Sequence, residues 1–194
     1  MKSSFTAAAA AATAAALISA PLAFAAPTAP PSYDNKVVCN ERLSGGGLLH
    51  ALGATVDKPL STAGDSLLLK VNPVAQNFTH YECSAPGFTG PVNSFYGLVK
   101  PAGDGVNGTK CLGAISVSGD SRLRLQECPR RAGPYLSQFW FERGDDNLQL
   151  VGKPDKEGKV DAKVARRSIA FQGDIAIATN KDYAKLPQLV LYDD

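Results

Sequence analysis

Beyond residue 36 the apolar residues fall in short runs that alternate with polar ones, and glycine or proline interrupts nearly every run. Arg122-Leu123-Arg124-Leu125-Gln126 has a clean period of two, which puts both leucines on one face of a strand. Asn147-Leu148-Gln149-Leu150-Val151 repeats the pattern, and Asp174-Ile175-Ala176-Ile177-Ala178 gives a further instance. Ser66 to Val71 reads as another strand and Leu189 to Tyr192 as a closing one. Gly45-Gly46-Gly47 reads as a flexible hairpin turn before Leu48-Leu49. The one helix candidate, Lys159 to Arg167, lacks a clear cap and reads equally well as a charged loop. The pattern predicts an all-β protein.

The strands also echo one another. Gly-Asp recurs at Gly64-Asp65, Gly119-Asp120 and Gly173-Asp174, at almost equal intervals, and apolar alternation follows each copy. Phe78-Thr79-His80-Tyr81-Glu82 lines up with Gln138-Phe139-Trp140-Phe141-Glu142, and Gln188 to Tyr192 occupies the corresponding place in the third stretch. Three units of about 54 residues, each of roughly four short strands, predict a three-fold barrel with a hairpin cap, which leaves few exposed edges. A two-sheet sandwich is the geometric alternative.

Residues 1–26 stand outside this pattern. Lys2 opens them, Ala7 to Ile18 are Ala-rich and apolar, and Phe24-Ala25-Ala26 offers small residues for cleavage, so the segment reads as a signal peptide. Residues 27–36, rich in Pro, Ala and Ser, read as a disordered leader, and 37–194 as a single domain. Export predicts a secreted, extracellular protein. Without Lys2 the chain has 19 basic against 18 acidic residues, a balance that argues against nucleic acid or a membrane surface as partner. Arg130-Arg131 and Arg166-Arg167 are the densest basic clusters and read as solvated surface.

Cys39, Cys83, Cys111 and Cys128 all lie in the exported part, and an even count in an oxidising compartment predicts two disulfides with three possible connectivities. The nearest pair encloses a strand-turn-strand segment, which favours Cys111–Cys128 with Cys39–Cys83. A metal site is the rival use of these cysteines, but no two are close in sequence and the two histidines, His50 and His80, lack ligand spacing. Asn77-Phe78-Thr79 and Asn107-Gly108-Thr109 are N-glycosylation sequons, which asks for both asparagines at the surface.

Lys110-Cys111-Leu112, a strand with Leu123 and Leu125, Cys128 and then Gln138-Phe139-Trp140 together resemble a ricin-B-like lectin repeat of the secreted fungal type. The resemblance runs from Lys110 to Trp140 and implies a β-trefoil-like fold. In it Leu112, Leu123, Leu125, Gln138 and Trp140 are structural core, with Trp140 against the three leucines and Gln138 anchoring a hairpin. It also implies a carbohydrate ligand, taken by an acid after Cys-Leu; here that position is Gly113. Asp120, Asn147 and Asp145 with Tyr135 are then the residues left to contact a sugar. Asp120, beside Gly119, and Asp145 to Asn147 have an equal reading as turn formers.

No nucleophile elbow, zinc-protease helix or phosphate loop is present, and His80 reads as an ordinary strand residue. The expectation is a non-enzymatic, secreted carbohydrate-binding protein without cofactor or metal, monomeric, with a glycan or a cell-surface protein as partner and no membrane insertion. The alternative is a secreted protein-interaction domain, such as an effector or protease inhibitor, that binds no sugar.

Overall fold

Alternation becomes burial strand by strand in the computed structural model, which describes residues 35–62, 64–88, 95–116, 119–144, 147–151, 166–181 and 186–192. The strands are β1 (Val38–Gly53), β2 (Val56–Ser61), β3 (Lys70–Val71), β4 (Asn77–Ser84), β5 (Phe95–Pro101) and β6 (Lys110–Ala114). They continue with β7 (Ser121–Glu127), β8 (Phe141–Gly144), β9 (Asn147–Val151), β10 (Arg166–Gln172), β11 (Ile175–Thr179) and β12 (Gln188–Tyr192). A 3-10 turn, Pro134–Gln138, lies between β7 and β8. Along β7 the residues Ser121, Leu123 and Leu125 are buried while Arg122 and Arg124 face water. Along β9, Leu148 and Leu150 point inward in the same way.

All pairings between these strands are antiparallel, and they close on themselves. From β1 the path runs through β2, β3, β11, β10, β9, β8, β5 and β4 and returns to β1, a ring of nine. β12 pairs both β1 and β9 and so closes a shorter ring of six strands. β6 and β7 extend from β11 as a hairpin. The expected β-trefoil of three equivalent units, and the ricin-B-like lectin resemblance that implied it, are corrected by this arrangement. The strands make one closed barrel, and the thirds of the chain are not copies. β3 has 2 residues where β7 has 7 and β11 has 5, and β1 has 16 where β5 has 7. The three Gly-Asp dipeptides do mark turns, each with a left-handed glycine, at φ 91°, 64° and 65°. That shared turn chemistry is the physical source of the echo.

Other expectations shift locally. Gly45-Gly46-Gly47 is no hairpin turn but lies within β1, where register shifts between Cys39 and Gly45 bend the strand. A side chain at Gly45 would collide with the Arg143 guanidinium, so the glycines let a buried arginine cross the strand. Ser66 to Leu69 do not form a regular strand: Leu67 is held in the left-handed region at φ 51°, and only Lys70–Val71 pair as β3. Gln138 ends the 3-10 turn, so the strand begins after Trp140. Of the helix candidate, residues 159–165 lie outside the described residues, and Arg166-Arg167 open β10. The signal-peptide segment 1–26 also lies outside them.

Two apolar clusters fill the fold. One gathers Leu49, Phe78, Leu112, Leu123, Phe141 and Leu148 inside the barrel. The other surrounds fully buried Trp140 with Tyr81, Phe88, Tyr96, Leu136 and Phe139. Trp140 thus belongs to a different cluster from Leu112, Leu123 and Leu125, and Phe88 meets its ring edge-on at 5.7 Å. Both disulfides, Cys39–Cys83 and Cys111–Cys128, border this second cluster. Their loops of 44 and 17 residues make each worth about 3–4 kcal/mol on a loop-entropy basis.

The tightest strand approach is at Gly97, where a Cβ would fall on the Tyr81 carbonyl oxygen and 2.9 Å from the Cys83 nitrogen. Gly97→Ala must push β5 off β4 and is expected to cost more than about 2 kcal/mol in urea unfolding. Gly144→Ala, whose Cβ meets nothing within 4 Å, should change stability by less than about 0.5 kcal/mol. Equal effects would show that the β4–β5 spacing is not a constraint.

Candidate functional site

The two histidines are the first candidates for catalytic chemistry. His50 on β1 has Nδ1 2.7 Å from Asp57 Oδ1 on β2, and its ring meets Tyr192 edge-on at 4.9 Å. That is a cross-strand pair with no hydroxyl or thiol hydrogen-bonded to it among the described residues. His80 is fully buried in β4, with Nε2 3.3 Å from the Phe141 carbonyl, so the ring donates from Nε2. Burial pushes its pKa down to about 4; the hydrogen bond to Phe141 acts in the opposite sense, and the nearby Arg143 charge adds to the lowering. A histidine this reluctant to take a proton is a packing element at neutral pH. Among the described residues no three His, Cys, Asp or Glu side chains converge as a metal site would need.

Among the described residues assigned to sugar contact, no hydrogen bond or ion pair joins Asp120, Asn147 and Tyr135 to one another. Asp120 Oδ1 accepts the Thr179 hydroxyl at 2.5 Å. Beside it, buried Arg167 donates to the carbonyls of Ser116, Gly119 and Ala178 and so holds the β6–β7 turn to β11. Asp120 is therefore part of a structural clasp. Asn147 is half-buried at the start of β9, opposite Gly144 and Val190. Asp145 lies outside the described residues. Tyr135 lies on the 3-10 turn, 43% exposed, with its hydroxyl donating to the Arg131 carbonyl at 2.7 Å. Gly113 explains why no acid follows Cys-Leu. A Cβ there would sit 2.6 Å from the Phe139 ring and 2.9 Å from the Gln138 carbonyl, so Phe139 already fills the space a sugar-binding carboxylate would use.

Tyr135 looks onto a site that linear reading did not assemble. Two open grooves of about 580 and 600 Å³ meet along Glu127, Cys128, Pro129 and Arg130. The first is walled by Lys36 and Val38 from the start of the barrel, Asn107 from the β5–β6 loop, and Arg131. The second is walled by Asp65 and Leu67, by Arg124 and Gln126 on the outer face of β7, and by Tyr135 with Phe139. Their common floor depends on backbone pairing between distant segments: Val37 N–H donates to Arg130, Ala132 N–H donates to Asn35, and Lys36 bridges Arg131.

Two of the lysines here are already committed. Lys100, 3% exposed, donates to the carbonyls of Val106 at 2.6 Å and Gly108 at 2.8 Å and lies over the Tyr81 ring, stapling the β5–β6 loop. Burial holds its pKa below the usual lysine range, with Asp104 acting in the opposite sense. Lys110 pairs with Glu127 across the β6–β7 hairpin. Of the two sequons, Asn107 and Thr109 are exposed at the groove rim, whereas Asn77 is half-buried and Thr79 is buried. The basic groove residues escaped the sequence reading because Lys36 lies far from Arg130-Arg131 along the chain. The one signal was the Arg130-Arg131 pair itself.

No family model, no curated protein and no solved structure matches the chain.

His80 generates a pH test. The unfolded chain takes up its proton near pH 6.5 and the folded chain only near pH 4. Stability from this residue is therefore intact above pH 6.5 and falls as pH drops toward 4, by on the order of 3 kcal/mol across that window. His80→Gln keeps a donor for the Phe141 carbonyl but has no such titration. In urea melts at pH 7.5 and 4.5, the wild-type advantage over this variant should shrink by about 2 kcal/mol at the lower pH. An unchanged gap would mean that His80 titrates normally in the fold.

Proposed function

We propose that this is an exported protein that acts by binding, and that its ligand is a saccharide seated on Tyr135. The observation that carries the reading is the exposed ring of Tyr135, fixed by its own hydroxyl to the Arg131 carbonyl and facing a shallow groove. A pyranose ring has a flat C–H face that packs on an aromatic ring, and its hydroxyls suit planar partners such as Asp65, Arg124, Gln126 and Arg130 around it. Two disulfides suit an oxidising compartment, and no helix among the described residues is long and apolar enough to cross a membrane.

A second reading, a protein-interaction surface, is favoured by Leu67. This residue is 36% exposed on the groove wall with its backbone in the left-handed region, a conformation that costs a non-glycine residue about 1 kcal/mol or more. Strained backbone collects at ligand clamps and switch segments, and here it displays an apolar side chain.

Titration against a set of soluble oligosaccharides separates the readings. Tyr135→Ala is expected to weaken saccharide binding about tenfold or more, while Tyr135→Phe, which keeps the ring but loses its tether to the Arg131 carbonyl, should fall between that variant and the wild type. Saccharide binding indifferent to both substitutions would refute the assignment of the site. Binding to a purified, deglycosylated extracellular protein, lost in Leu67→Ala and with no saccharide bound, would transfer the function to the second reading.

A further inference from the structure

The charge in the two grooves goes further than the aromatic platform. They hold six cationic side chains (Lys36, Lys100, Lys110, Arg124, Arg130 and Arg131) against Asp65 and Glu127 alone. The rest of the chain has 14 basic against 16 acidic residues. A near-neutral protein has thus concentrated its positive excess on one surface. Part of that excess has a structural use, since Lys100 is spent on loop carbonyls and Lys110 on Glu127.

The guanidinium groups of Arg124, Arg130 and Arg131 have no such use. None of them has a carboxylate within ion-pair reach among the described residues, although two acids line the same grooves. Gathering like charges is unfavourable unless an anion offsets it, and here the backbone enforces the gathering. Arg130 follows buried Pro129, and its carbonyl is fixed by the Val37 N–H. The Arg131 carbonyl is fixed by the Tyr135 hydroxyl. The same hydrogen bond that holds the aromatic platform therefore anchors the backbone of the arginine beside it.

We infer that the ligand is an acidic polysaccharide, bound with its sugar face on Tyr135 and its carboxylate or sulfate groups on Arg130, Arg131 and Arg124. The inference rests on the saccharide reading above and names its substrate class. A planar guanidinium pairs a carboxylate or sulfate through two parallel N–H donors, which a neutral hydroxyl cannot match. An acidic sugar presents the flat face and the anion in one residue. The grooves are joined end to end through Arg130, so a chain of several sugars can lie across both.

Calorimetric titration of the full chain tests this with four probes of similar length: a uronic-acid oligosaccharide, a sulfated oligosaccharide, an uncharged oligosaccharide and polyglutamate. At least one acidic saccharide should bind about tenfold or more tighter than the uncharged one, and the tighter of the two identifies the anion. Raising salt from about 0.05 to 0.5 M should weaken it several-fold. Arg130→Gln should weaken it about tenfold, Arg130→Lys should recover part of the loss, and Arg122→Gln, a solvent-facing cation outside both grooves, should change it less than about twofold. Each variant is compared at equal thermal stability. Equal binding of charged and uncharged saccharides would overturn the acidic ligand and leave the saccharide reading standing. Binding of polyglutamate without any saccharide would overturn both, as would no binding of any probe.

Discussion

Both ring closures in this molecule pass through β1. Its sixteen residues divide their hydrogen-bonding groups among β2, β4 and β12, and without that sharing neither the ring of nine nor the ring of six would close. A strand with three partners cannot stay straight. The shifts between Cys39 and Gly45 absorb the bend, and the glycines that follow remove the side chains that would obstruct it. At Gly46 a Cβ would press within 3.1 Å of the Thr79 hydroxyl and at Gly45 it would displace Arg143. The Gly-Gly-Gly run is thus a requirement of closure. Buried backbone groups need partners, and a closed barrel supplies them without leaving a free edge.

The groove is a consequence of the same strand. Where β1 begins, Asn35 to Val37 reach across to Arg130, Arg131 and Ala132, and the Cys39–Cys83 disulfide fixes the neighbouring turn of chain. On the other side, Cys111–Cys128 ties the foot of the β6–β7 hairpin to the start of the 129–139 segment. The second apolar cluster, centred on Trp140, sits between the two bridges and supports the 3-10 turn from beneath through Leu136 and Phe139. Tyr135 is then the member of that turn left to face outward. The groove is therefore held by a disulfide on each side and an apolar core below, with Lys100 and Lys110 the polar lining residues that also support the fold.

What the chain disclosed linearly was what local physics controls. Period-two alternation located β7, β9, β11 and β12 because each buries one face against the barrel, and Gly-Asp marked turns because glycine accepts a left-handed backbone. Alternation misled at Ser66 to Leu69, where three consecutive leucines suit a strand but a left-handed Leu67 breaks it. The cause is tertiary, since the Leu69 N–H donates to the Leu123 carbonyl and the Leu125 N–H donates to the Leu67 carbonyl. The equal spacing of the turns suggested equal units, yet spacing carries no information about strand length or register, and those differ between the thirds. Gln138 to Glu142 likewise reads as one aromatic strand because aromatic residues favour strands, whereas the strand starts only at Phe141 and Phe139 fills the space above Gly113.

Charge was the least legible property. A net value near zero excludes a surface that is basic throughout, but it is an average and says nothing about segregation. Lys36 and Arg131 meet through one bridge between strandless segments, and Arg124 joins them only because β7 turns its odd face, with Leu123 and Leu125, to the core and its even face outward. The alternation that was read correctly as a core signal therefore also decided where the arginines would go. In a strand with one buried face, choosing the core residues chooses the surface residues as well, and the arginine-bearing outer face of β7 was written in the same five letters as its packing face.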